Sequence, residues 1–551
     1  MRVLKLLVLF FLTALGVTAQ TTDTTWQIKG TANLSINTYN VNGIENRREP
    51  LRYTLSLRPV LTKGSWSIPI ELNAYNIGIG SDYKFLRFGI HPTWRWGKIH
   101  LGHTNMRLSS FSISGRTLLG AGVELNPGLL RFAAFAGTTK QATNSFISNA
   151  AQTNVYAQQI FTTKIGFGNR AHFLDIIVLK GKDDASSVDS AKIHGDVYPE
   201  ENVVIAARTE HYFFKKKIHI GGEYAISGLT TNQNSSPIDD SDLNFINWLW
   251  EPKTASFQAN AFEAFVAYRS KQFNVKLAYQ RIGPGYRSMG AYFFQNDLES
   301  YDASTSFKFL KNKLRVKLKG GVMRNNLADD RTFQSIRMRG FVNVLYTISK
   351  KVMLTANYSN YQTEQILQDY KSRDSLRSAI VSNNLNATVQ IILSQKVKLK
   401  RTLRINGGMF NSVNRQDFNR GVSDSKTYNG GVYYQVINKQ WQWQLGLTYL
   451  GFDRGVSMQN RYGNQVEISR SLKGAKWKIS INSSQVWTFN DAEQTVVSWL
   501  PSASAMYRPN AADSFMLRAV FANYVYKSNF GSSFNELQAS FRYAHRFGAK
   551  K

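Results

Sequence analysis

The chain has 551 residues, no cysteine, 43% apolar and 13% aromatic side chains, and a formal net charge of +32. This composition excludes a disordered polymer and a disulfide-stapled domain, and without a cysteine there is no residue to carry a lipoprotein anchor. Such a basic balance would suggest nucleic acid in a soluble protein, but no basic face here is interleaved with stacking aromatics, so no nucleic-acid partner is expected.

In chain order, residues 1–19 read as a secretory signal: Arg2 and Lys5, an apolar core from Leu6 to Leu15, then the small-residue ending Val17-Thr18-Ala19. The apolar run is short for a membrane anchor, and cleavage after Ala19 would leave Gln20 as the mature start. No later run approaches the ~18–20 apolar residues of a membrane helix. An exported chain without a second helix is periplasmic, secreted or a β-barrel.

From Trp26 onward the sequence alternates with period two. In "YYQVINKQWQWQLGLTYL" (433–450), Trp441, Trp443, Leu445, Leu447 and Tyr449 alternate with Gln442, Gln444, Gly446 and Thr448. Leu385, Ala387, Val389, Ile391 and Leu393 repeat the pattern, as do Phe515, Leu517, Ala519 and Phe521. About 26 such strands are predicted, mostly of about 9–15 residues, which suits the ~9–11 residues of a tilted bilayer-crossing strand. Every second connection is tiny, as in "TKG" (62–64), "GNR" (168–170), "KKK" (215–217) and "KNK" (311–313), while 138–157, 181–201, 230–254 and 281–300 are longer. Strict short–long alternation belongs to an up-and-down membrane barrel with short periplasmic turns. Trp66, Trp96, Trp441, Trp443 and Trp477 at the turn ends fit an interfacial aromatic girdle. The predicted fold is therefore all-β. It is a transmembrane antiparallel up-and-down β-barrel of about 26 strands (range ~22–26) over residues 20–551, with no separate plug domain, in the outer membrane.

The charges are sorted by rim. The short turns are rich in Lys and Arg, with Asp513 as their acid, and could meet anionic lipid or lipopolysaccharide headgroups at about 1 kcal/mol each. The longer loops hold acids such as Asp183, Asp184, Asp239, Asp240, Asp242, Asp329 and Asp330. A second set of bases alternates within strands on the polar side: Arg315, Lys317, Arg337, Arg339, Arg404, Arg518 and Arg542. On the lipid face each would cost about 2–4 kcal/mol at mid-depth, so they should face inward. They either attract anions to the lumen or form a solvated wall paired to lumen acids and inward-folded loops.

Signals for chemistry are weak. His100 and His103 in "HLGH" stand at i and i+3, on opposite strand faces. His211 and His219 should lie nearly opposite across the "KKK" turn on one face, half of a zinc site without a third ligand. "IDDSD" (238–242) lacks calcium-loop spacing, and "GPGYRSMGAYFF" (283–294) reads as a glycine-bent loop. No zinc-protease, phosphate-loop or nucleophile-elbow motif occurs, so no catalytic residue, metal or cofactor is expected and the chain is not read as an enzyme. Residues 101–132 hold a polar loop with Arg107 and Arg116. It is either a porin-like loop folded into the lumen, with both arginines at a constriction, or an ordinary outer loop.

The "LLGAGVELNPG" region (118–128) and the overall texture resemble uncharacterised, porin-like outer-membrane β-barrels of Bacteroidota. The chain is less like TonB-dependent receptors, which place a plug before the first strand, or lipopolysaccharide-insertion barrels, which carry a periplasmic domain. The final strand (537–547) resembles a signal for the barrel assembly machinery, with Phe541, Tyr543 and Phe547 on one face, but Gly548-Ala549-Lys550-Lys551 follow where the family pattern ends on Phe. A barrel this wide would leak if empty, so inward loops or a protein partner must fill it. The expected function is a channel for small solutes, anions among them; the alternative is a docking subunit of a secretion, assembly or surface complex.

Overall fold

The computed structural model describes residues 25–76, 84–142, 155–188, 197–238, 248–291, 295–367, 378–396, 399–415, 424–455, 457–472, 474, 476–527 and 529–549. The leader at 1–19 and the acids Asp239, Asp240 and Asp242 lie outside these residues.

One antiparallel sheet closes on itself. Its 27 strand segments form 26 barrel strands, because the fourth strand is split into Lys84–Ile90 and Thr93–Trp94. Pro92 lies in the gap, where a residue without an N–H cannot continue the ladder. The first strand, Gln27–Asn42, pairs with the second, Leu51–Lys63, and with the last, Phe534–Phe547, from Gly30 opposite Phe547 to Asn42 opposite Asn535. All-antiparallel closure needs an even number of strands, as bacterial outer-membrane barrels have. The unbroken strands run from 10 residues (Phe273–Ile282) to 19 (Ser378–Lys396), so several extend well past the bilayer depth inferred from sequence.

The short–long alternation of connections is not strict. On the long-loop side, Asn490 pairs with Glu493 across the two-residue turn Asp491-Ala492, both at positive φ (48° and 71°). Such a turn follows the right-handed strand twist and closes a hairpin without extra residues.

Register fixes the two faces. Cross-strand partners share a face, so Leu447 stands with Val432 and Asn464, while Thr448 stands with Gly431 and Gly463. Followed around the ring, one face carries exposed apolar residues such as Leu447 (66%), Leu517 (60%) and Ile481 (58%), and it faces lipid. At the short-turn rim this face holds aromatic rows. Trp477 stacks on Tyr507 at 4.4 Å, Tyr507 leads to Phe515 at 6.3 Å, and Phe515 meets Tyr543 at 4.9 Å. Trp66, Trp94 and Trp96 form a second row at 5.3 and 5.2 Å, and the Arg470 guanidinium lies over Trp441. Amphipathic rings gathered at one depth form the interfacial belt read from the sequence. Phe541 and Tyr543 belong to this outer face, opposite Leu517 and Phe515, and Phe547 lies opposite Gly30 on the same alternation.

Leu447 sits midway along its strand, Trp441–Asp453. Leu447→Arg is expected to lower stability by about 2–4 kcal/mol, whereas Thr448→Arg on the inner face changes it by no more than ~0.5 kcal/mol. Urea unfolding in lipid vesicles measures both.

Candidate functional site

The inner face is divided into two unlike walls. The first is dry. Between strands Gly97–Arg107 and Ser114–Leu125, residues 108–113 fold inward across the barrel wall. Leu108 N donates to Ile113 O at 3.1 Å, and Ser112 N donates to Ser109 Oγ at 2.8 Å. Phe111, Ser112 and Ile113 are almost fully buried. The opposed inner residues Glu223 and Glu263, on strands Ile218–Thr230 and Ser256–Arg269, hold this segment. Glu223 accepts Ser110 N (3.0 Å) and Phe111 N (2.9 Å), and Glu263 accepts the Ser110 hydroxyl at 3.0 Å. Arg208 donates to Leu108 O at 3.2 Å. Hydrogen bonds to a charged carboxylate are worth about 1.5–3 kcal/mol each, and here they also satisfy backbone donors that have no strand partner.

Residues 283–291 fold over the first segment. The Tyr286 hydroxyl donates to Phe111 O at 3.0 Å, the Ser288 hydroxyl to Ser112 O, and Arg116 to Met289 O at 2.5 Å. Asn202 clamps the segment from the wall, accepting Met289 N (3.0 Å) and donating to Arg287 O (3.2 Å). Arg287 pairs with Glu200 at 2.7 Å. Burial pushes the Tyr286 phenol above its ordinary pKa, so it remains a donor. Close approach needs Gly290, since a Cβ there would stand 2.4 Å from Leu179 and 2.5 Å from Ser112 O. Beneath both segments lies a hydrophobic core that includes Leu118, Phe135, Ile160, Ile177, Leu179 and Val204.

Toward the short-turn rim several charges of this wall are paired, although the buried Lys164 forms no ion pair among the described residues. Arg131 grips Asp175 with two bonds (2.6 and 2.8 Å), His100 meets Glu124 at 2.7 Å, and Glu210 serves both Arg208 and His219. Such partners offset the cost of burying a charge. His211 and His219 do not share a face, correcting the sequence expectation. The turn sets Tyr212 opposite His219, so His219 stacks on Tyr212 at 3.9 Å, while His211 pairs with Ile220 on the lipid side. Among the described residues no group of three or more metal-donor side chains occurs.

The second wall is polar and largely unpaired. Arg315, Lys317 and Lys319 share a face with Arg337 and Arg339 on the next strand. Arg339 is bidentate to Asp302 (2.6 and 2.8 Å). Arg404 lies over the Tyr433 ring at 4.6 Å, Arg518 stands between Ser504 and Ser540, and Arg542 between Met516 and Ser35. Among the described residues Arg315, Lys317, Arg337, Arg518 and Arg542 form no ion pair. The structure thus sets Arg315, Lys317 and Lys319 in consecutive inner positions of one strand, with Arg339 and then Arg337 further along the next. Arg518 and Arg542 are diagonal neighbours on adjacent strands, and Arg404 stands apart from both groups. Arg116 is spent on the inward segment. Arg107 follows the alternation of Asn105, opposite to the buried Met106, and is exposed.

Sequence reasoning missed residues 283–291. The available signal was in the strands behind them: Phe173 to Leu179 is apolar on both faces except at Asp175, as for a wall covered on both sides.

No family model matches the chain, and no curated protein matches it. Among solved structures, it is similar to the P pilus usher (PapC) translocation pore, with 10% identity and TM-score 0.41 over 95% of this chain and 99% of that one. It is also similar to the copper transporter OprC (10% identity, TM-score 0.37, 96% and 81%). A third match is OccAB2 of Acinetobacter baumannii (11% identity, TM-score 0.32, 63% and 93%). The likeness extends to the barrel alone. The chain is a large β-barrel of the outer-membrane type.

Because the chain has no cysteine, one introduced at buried Ile113 reports on the inward segments. Ile113→Cys should react slowly with a maleimide in the folded barrel, and adding Glu223→Ala should speed labelling by at least ~10-fold through the lost acceptors.

Proposed function

We propose that this protein is a solute channel of the outer membrane, reached by export through its leader, with selectivity for anions. The observation that carries the reading is the inner-face stripe of Arg315, Lys317 and Lys319, continued along the next strand by Arg337, offset among described residues by Asp302 alone, which is held by Arg339. Bases of one sign along a low-dielectric wall focus the field and raise the local concentration of anions. The lumen has room for flux. About 26 strands spaced ~4.8 Å apart and tilted ~40° give a backbone diameter on the order of 50 Å, and the two inward segments cover one wall. They narrow the passage from the side that carries the dry core, so a solute runs along the basic wall. This is the porin-like role that the resemblance to Bacteroidota barrels implies. Phe541, Tyr543 and Phe547, on the lipid side of the closing strand, are the side chains offered to the barrel assembly machinery.

Single-channel recording in planar bilayers tests the reading. Purified protein should give large, anion-selective steps. Replacing Lys317, Lys319 and Arg337 with Gln should lower the anion-to-cation permeability ratio at least ~3-fold, while replacing Lys215, Lys216 and Lys217 at the rim turn leaves it nearly unchanged. Silence from folded, heat-modifiable protein overturns the channel.

A further inference from the structure

The basic stripe stands at the edge of a wall whose chemistry is more specific than charge. Inner-face partners can be followed strand by strand. Lys317 lies opposite Asn343, then come Asn357, Asn386, Gly408 and Asn429. One row further along, Lys319 lies opposite Phe341, then come Ser359, Asn384 and Phe410. The next row holds Arg339, Tyr361 and Ser382. Asn343 donates to Asn357 at 2.6 Å and Asn386 to Asn384 at 2.5 Å, so these amides are oriented by one another.

The rings are the unusual element. Tyr361 is 45% exposed and Phe410 is 37% exposed, yet both belong to the polar face and not to the lipid face of their strands. A ring left uncovered on a face that is otherwise amide, hydroxyl and cation is a platform in want of a flat apolar partner. Phe341 and Phe410 are three strand spacings apart, about 14 Å, with amides and hydroxyls between them.

We propose that this inner wall binds an acidic oligosaccharide; the proposal rests on the channel reading and names its solute class. A sugar ring has an apolar face that stacks on Tyr361 or Phe410. Its vicinal hydroxyls need donors and acceptors side by side, which each Asn amide supplies. Its carboxylate or sulfate meets Lys317, Lys319 or Arg337. An extended peptide would instead seek an unpaired strand edge, and a closed barrel has none.

The test uses the full-length barrel in a planar bilayer, with hexagalacturonate as probe, maltohexaose as the neutral control and hexaglutamate as the peptide control. Hexagalacturonate should block the current in a saturable way, at least ~10-fold more tightly than either control. The double variant Tyr361→Ala, Phe410→Ala should weaken that block by about tenfold while leaving conductance in salt alone nearly unchanged, because neither ring supports the buried core. Absence of block, equal block by hexaglutamate, or block unaffected by removing the rings overturns the proposal. If the bilayer shows no current at all, the channel reading fails separately. Calorimetry of the folded protein with hexagalacturonate then decides the wall alone: binding weakened in the double variant supports it, and no binding overturns it.

Discussion

The whole architecture follows from the cost of an unpaired backbone amide in hydrocarbon. Each peptide group at bilayer depth must find a partner within the protein, and a sheet can provide this only by closing. Closure is visible where Gln27–Asn42 pairs with Phe534–Phe547 over thirteen positions. Once the ring is closed, the period of two does the rest, assigning Leu447, Ile481 and Leu517 to lipid and their neighbours in sequence to the interior. Side chains on the lipid face have little freedom in polarity. Those on the inner face can be apolar, paired or solvated as the interior requires.

That freedom is used unevenly around the ring. Behind residues 108–113 and 283–291, the inner face adopts the rules of a soluble core: Leu118, Ile177, Leu179 and Val204 pack without water, and each inward backbone segment is met by an oriented polar side chain. Glu223 is central because one carboxylate accepts two adjacent backbone N–H groups where the hairpin leaves the sheet. Several charges nearer the short-turn rim on this side are matched, as Arg131 is to Asp175. Around Lys317 and Arg337 the rules are those of an exposed surface: Arg339 holds Asp302, but Lys317 and Arg337 form no ion pair among the described residues.

Much of this was legible in the sequence because strand alternation is a local signal. The placement of Lys317, Arg337, Arg339 and Arg404 on the face opposite Leu318, Met338 and Ile405 depends only on counting by twos. Contacts made across the lumen are not local. Nothing in "GPGYRSMG" announces that Tyr286 will bond Phe111 or that Gly290 will lie against Leu179, because those partners are more than a hundred residues away in the chain. Turn geometry was the other gap. Counting across the turn puts His211 and His219 on one face only in a register one residue away from the observed pairing of Tyr212 with His219, and a one-residue slip exchanges the faces.

The two walls also explain why a barrel of this width can do without a separate plug among its described parts. A freestanding loop inside a wide pore would have to leave its backbone to water and would gain little from ordering. Leaning on a wall that is apolar on its inner side, the two segments bury Phe111, Tyr286 and Met289 and tie their amides to Glu223 and Asn202. The apolar inner residues of strands near Ile177 form one core with the segments they hold, and those segments take their place from that wall. The space they leave is bordered by the polar wall, so the narrowing of the barrel interior and the exposure of its basic, amide-rich and aromatic side chains are two results of one asymmetric packing.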